Sequence, residues 1–123
     1  MRIAPRPLLA MAALLASTAA PGACPLDEQV LSGTVLSAAD GAPVGGAAIE
    51  ASWNERAAGR MSISREADAA GGFELRIAFD TYSGRTLAGR DVCDARLQSL
   101  DVEVSRAGFR NQRRTLTRAE LAQ

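Results

Sequence analysis

Apolar and polar residues alternate with period two along several short stretches of this chain, and each stretch is bounded by Gly, Asp or Pro. Residues 29–36, QVLSGTVL, place Leu31, Gly33 and Val35 on one face and Val30, Ser32 and Thr34 on the other. A strand buried on one side has that pattern. The next segment, SAADGAPVGG, contains the turn dipeptides Asp40-Gly41 and Gly45-Gly46, with Pro43 removing a ladder donor between them. Ala47, Ile49, Ala51 and Trp53 then alternate with Ala48, Glu50 and Ser52 as a second strand. Residues 61–67 read as a third, with Met61 and Ile63 on one face.

The clearest strand is FELRIAF, where Phe73, Leu75, Ile77 and Phe79 alternate with Glu74, Arg76 and Ala78. A helix would scatter those four large residues around its circumference, whereas a pleated strand lines them on one face. Residues 80–96 sustain no period and make a long connection for so small a chain. Leu100, Val102 and Val104 mark a fifth strand, and RNQRRTL a sixth whose charges suit a guarded sheet edge. In the tail, Thr117 and Glu120 have capping-box spacing, enough for one helical turn. Short strands, Gly/Asp/Pro turns and no long amphipathic helix predict an all-β sandwich.

Residues 1–23 read differently. Arg2 and Arg6 precede an apolar run over residues 8–20, and small residues follow in STAAPGAC. That order is a secretory signal, too short in its apolar part for a membrane span, which leaves residues 24–123 as one domain. A domain of that size buries a modest core. Export places it where a disulfide persists, and the chain has two cysteines, Cys24 and Cys93. Two uses of Cys24 stay open. It pairs with Cys93, or PGAC is a lipobox and Cys24 is acylated to anchor the domain to a membrane, although Pro21 stands where a lipobox carries Leu.

The 123 residues carry 14 basic and 14 acidic side chains, so no charge excess points to nucleic acid. All 14 basic residues are Arg, and the chain has no His and no Lys. Without His there is no Ser-His-Asp triad and no imidazole-based zinc or iron site. An enzyme here would work with carboxylates alone, and no two of them have a spacing that predicts convergence. The expectation is a non-catalytic domain with no cofactor.

Three segments resemble the carboxypeptidase regulatory-like domain family. In LSGTVLSAADGAPVGGAAIEA the residues Leu31, Gly33, Val35, Gly41, Pro43, Val44, Gly46, Ala47 and Ile49 fall in order on that family's strand, turn and strand pattern. ADAAGGFEL is similar to its Thr-Asp-x-x-Gly-x-Phe-x-Leu turn, through Asp68, Gly71, Phe73 and Leu75, with Ala67 in place of Thr. Gly108 and Phe109 in LDVEVSRAGFRNQRRTL stand for its Gly-Tyr or Gly-Phe step. The resemblance spans residues 30–116 and implies a transthyretin-like Greek-key sandwich of about seven strands, grouped with starch-binding-like domains. It implies no activity. The hydrolases and dioxygenases of related topology rely on His, which is missing here, and the segment around Cys93 departs from the pattern.

Several residues remain to be placed. Asp68 can accept from backbone N–H groups in an Asx-type turn, Gly71 can take a positive φ, and Phe73 can then enter the core. Trp53 shares a face with Ile49 and Ala51 and is expected inside. Tyr82, at the start of the long connection beside Asp80, Arg85 and Arg90, would form the rim of a glycan or peptide site if the loop is more than solvated chain. Asp40, Asp68 and Asp101 are too dispersed for a calcium loop. Arg110, Arg113 and Arg114 fit edge protection or an anionic polymer. The functional expectation is an exported bacterial module binding a carbohydrate or other envelope ligand; the alternative is a structural or protein-interaction module, lipid-anchored if Cys24 is acylated.

Overall fold

Alternation decides most of the strands. The computed structural model describes residues 1–5, 24–55 and 58–122, so residues 6–23, most of the signal-like segment, lie outside the described residues. Strands β2 (Leu26–Leu36), β3 (Ala48–Glu55), β4 (Gly59–Glu66), β5 (Gly72–Asp80), β8 (Ser99–Ser105) and β9 (Gln112–Thr117) are the six that the sequence marks. Three more appear where it marks none: β1 (Arg2–Pro5), and the two-residue strands β6 (Gly84–Arg85) and β7 (Asp91–Val92) inside the long connection. A single helical turn, α1 (Arg118–Leu121), ends the chain. Thr117 is its N-cap, but the side chain makes no cap hydrogen bond, so the capping box is present in spacing and not in contact.

Pairing is antiparallel throughout, in the strand orders β1-β2-β5, β4-β3-β8-β9 and β6-β7. The inward sides of the two larger sheets supply one apolar core: Leu31, Val35, Phe73, Leu75, Ile77 and Phe79 from the first, Ile49, Ala51, Trp53, Leu100, Val102 and Val104 from the second. The fold is therefore all-β, two antiparallel sheets facing each other across that core. Ile49, Leu75, Ile77, Leu100, Val35, Val102 and Val104 are the largest fully buried side chains. Burying each stabilises the fold by about 1.5–3 kcal/mol before chain entropy is counted.

The Asp68 turn delivers Phe73 to this core. Asp68 Oδ1 accepts the N–H groups of Ala70 at 2.9 Å and Gly72 at 2.8 Å, and the Asp68 carbonyl accepts that of Gly71 at 2.9 Å. Gly71 has φ +79°, and a methyl group there would stand 2.5 Å from the Val35 carbonyl oxygen. Backbone conformation and space each demand glycine. Two long-range contacts tie down the open end of the sandwich. Glu55 Oε1 accepts both the Trp53 indole N–H at 3.1 Å and the Asp80 backbone N–H at 3.2 Å, joining the ends of β3 and β5. Gln29 Nε2 donates to the Leu121 carbonyl at 3.2 Å, holding α1 against β2.

Candidate functional site

The long connection carries the most unusual chemistry, and a covalent bond explains why a segment without periodicity is ordered. A disulfide joins Cys24 to Cys93, whose Cα atoms are 5.3 Å apart. Acylation would need the same Cys24 sulfur, and in this structure that sulfur is bonded to Cys93. Around the bridge, the buried Thr81 donates its hydroxyl to the Pro25 carbonyl at 2.6 Å and accepts the Ala95 N–H at its own carbonyl at 2.8 Å. Ser83 donates its backbone N–H to the Val92 carbonyl at 2.8 Å, and its hydroxyl bonds to Asp94. The segment preceding β2 and the loop following β5 thus form one cross-linked platform.

From that platform projects the β6–β7 hairpin. The Thr86 N–H meets the Arg90 carbonyl at 2.8 Å, the Gly89 N–H meets the Thr86 carbonyl at 2.9 Å, and the Thr86 hydroxyl accepts the Arg90 N–H at 3.1 Å. Gly89 takes φ +80° to close the turn. At its tip Leu87 is fully exposed, between the exposed Arg85 and Arg90. A lone exposed Leu is ordinary on a floppy loop, but here the backbone beneath it is hydrogen-bonded and cross-linked.

The expected rim residues have these partners. Asp80 Oδ1 accepts the Tyr82 backbone N–H at 2.9 Å, while Arg85 pairs with Asp91 at 3.2 Å. Tyr82 is half-buried, and Trp53 is inside, as its strand face requires. Of the aromatic rings, Phe109 is the most exposed, at 41 %, and it stands on the turn between β8 and β9.

A second surface lies on the outward face of the four-stranded sheet, a shallow depression of about 310 Å³. Strand register places Glu50 directly opposite Glu103, and Glu103 opposite Arg113. Sequence spacing alone misses this convergence, because it depends on which strands pair; the signal was that Glu50 and Glu103 both occupy outward positions. Internal partners take up much of its charge. Arg113 donates to Glu103 at 2.5 Å, and this contact raises the Arg113 pKa. Asp101 accepts the Thr115 hydroxyl and the Arg60 guanidinium, each at 2.6 Å, and these bonds hold its carboxyl below the ordinary carboxylate range.

Among the described residues, no group of three or more Cys, Asp or Glu is arranged to hold a metal ion. Nor does any buried polar side chain there lack a hydrogen-bond partner. No helix among them is long and apolar enough to cross a membrane. The chain matches no family model, no curated protein and no solved structure.

Proposed function

We propose that this chain is an exported, non-catalytic β-sandwich module of carboxypeptidase regulatory-like type that acts by contact with another protein at the bacterial envelope. The supporting observation is the β6–β7 hairpin, which presents the fully exposed Leu87 between two arginines on a base held by the Cys24–Cys93 disulfide. Protein interfaces centre on a desolvated apolar anchor, with Arg enriched around it. Holding the loop in one shape reduces the ordering cost of association. The export part of the reading is supported by residues 1–23, which have the order of a secretory signal, and by the disulfide, a bond that persists outside the cytoplasm.

A glycan-binding role would favour exposed ring faces. Trp53 is buried, Tyr82 half-buried and Phe109 only 41 % exposed, whereas Leu87 is fully exposed, which favours protein contact. The test is site-specific photo-crosslinking in the native host, with the reactive side chain placed at position 87 or, as a control, at the exposed Arg65 on β4. A discrete protein adduct at position 87 that is absent at position 65 is the expected result. Saturable binding to a glycan panel that falls on Tyr82→Ala, with no adduct at position 87, would replace this reading with the carbohydrate one.

A further inference from the structure

The first strand of the chain sits in a place that the sandwich needs filled. β1 lies antiparallel to the end of β2, with Arg2 opposite Leu36, Ile3 opposite Val35, Ala4 opposite Thr34 and Pro5 opposite Gly33. Met1 is buried in the core and Ile3 packs against it, while Arg2 between them is exposed. Without β1, the first sheet has the two strands β2 and β5 facing a sheet of four.

Backbone chemistry shows which groups accept the strand. Val35 directs its N–H to the Gly71 carbonyl and its carbonyl to the Val44 N–H, so both of its polar groups face away from β1. Alternation then turns those of Thr34 and Leu36 toward β1, where Ala4 and Arg2 stand. Pro5 sits opposite Gly33, whose polar groups belong to β5, so its missing donor costs no bond on this side. Gly33 allows the close approach, because a methyl group there would stand 3.0 Å from the Ala4 carbonyl oxygen and 3.0 Å from the Phe73 ring.

β1 also covers little of the edge it uses. β2 runs from Leu26 to Leu36, and β1 pairs with Gly33 to Leu36 only. Over residues 26–32 no strand among the described residues pairs with that side; the Val30 carbonyl has a 3.5 Å contact from Gln29 Nε2.

We infer that the outer edge of β2 is a strand-accepting site, occupied here in cis by residues 1–5 of the unprocessed chain and, on the export reading above, left open once residues 1–23 are removed, for an extended segment of a partner protein with apolar side chains two residues apart. The cis occupant defines the requirement: Met1 and Ile3 point inward, and the residue between them points to solvent. A partner strand longer than β1 would continue along the open edge toward Leu26 and gain ladder bonds that β1 does not make. This site is separate from the hairpin tip, so either can fail without the other.

The test uses the full chain with residues 1–23 retained and carrying Ile3→Asp, which places a charge at the inward position of the cis strand, and a synthetic peptide of residues 1–6, MRIAPR. Amide hydrogen exchange reads the site residue by residue. In the variant, Thr34 and Leu36 are expected to exchange at least about tenfold faster than in wild type, while Gly33 and Val35, bonded toward β5, keep their protection. Adding MRIAPR restores Thr34 and Leu36, and the peptide's Ile3→Asp counterpart does not. Unchanged exchange at Thr34 and Leu36 in the variant, or lost protection that saturating peptide cannot restore, overturns the inference. So does protection that returns only with dimer formation, which would make a second copy the occupant. If Ile3→Asp fails to fold, Thr34→Pro removes one donor on the accepting side and leaves the β5 side intact. That variant is expected to keep its sheet signal in circular dichroism and to lose protection at Leu36; full protection there refutes the site.

Discussion

Replacing both cysteines by serine tests whether the covalent bridge or the packing of the sandwich sets its stability. Cys93 is exposed and Cys24 only half-buried, so the two substitutions empty little of the core and act mainly through the unfolded chain. The bridge closes a loop with a sequence separation of 69 residues. For a loop of that length the chain-entropy model gives about 4 kcal/mol of stabilisation. In a domain of this size that corresponds to a fall in Tm of about 20 °C. Thermal and urea unfolding of the wild type, with and without reductant, and of the double variant measure it directly. Reduced wild type and the variant should coincide, and both should unfold with a larger m value, because the opened chain exposes more surface. A double variant melting within about 5 °C of the oxidised protein would show that the unfolded chain gains little freedom, and would refute the loop-closure account.

Gly71→Ala is expected to cost more than about 2 kcal/mol, since alanine there meets both the positive φ and the Val35 carbonyl; chemical denaturation within about 0.5 kcal/mol of wild type would mean that the turn can relax. Phe73→Ala should cost about 3–5 kcal/mol by the same measurement, and an unchanged midpoint would show that the ring contributes no burial. Asp101 gives a pH dependence. Its folded pKa lies below the ordinary 3.8 through the Thr115 hydrogen bond and then Arg60, so its stabilising contribution is whole above the unfolded value and is lost as pH falls through the folded one. Wild type should therefore lose more stability than Asp101→Asn between neutral pH and about pH 2, by a small amount for so exposed a pair, and parallel curves would refute this.

The strands with strict alternation were legible because one face is buried and the other is not. In β5 every second residue from Phe73 to Phe79 is buried, and the sequence shows that outright. β6 and β7 were not legible, since two residues make no period and their order comes from the disulfide and from bonds such as Thr81 to Pro25. β1 was hidden because its residues also read as the start of a secretory signal, and an edge strand of four residues leaves little pattern of its own. For the surfaces, residue types were readable and neighbours were not. Glu50 and Glu103 meet only because β3 pairs with β8 in one register, and the long connection presents Leu87 at its tip, whereas attention to rings and charges there singled out Tyr82.

The position of the disulfide also decides how the domain transmits force. Leu26 lies opposite Asp80 at the end of the β2–β5 ladder, and the bridge sits just beyond that end. Tension applied at Cys24 itself and leaving through a partner held at the β6–β7 tip has a short covalent path: across the sulfur bridge to Cys93 and back one residue to Val92 in β7. The ladder between the sheets' strands lies outside that path. A pull between those two points loads the bridge and the small hairpin, while the core can stay folded behind them.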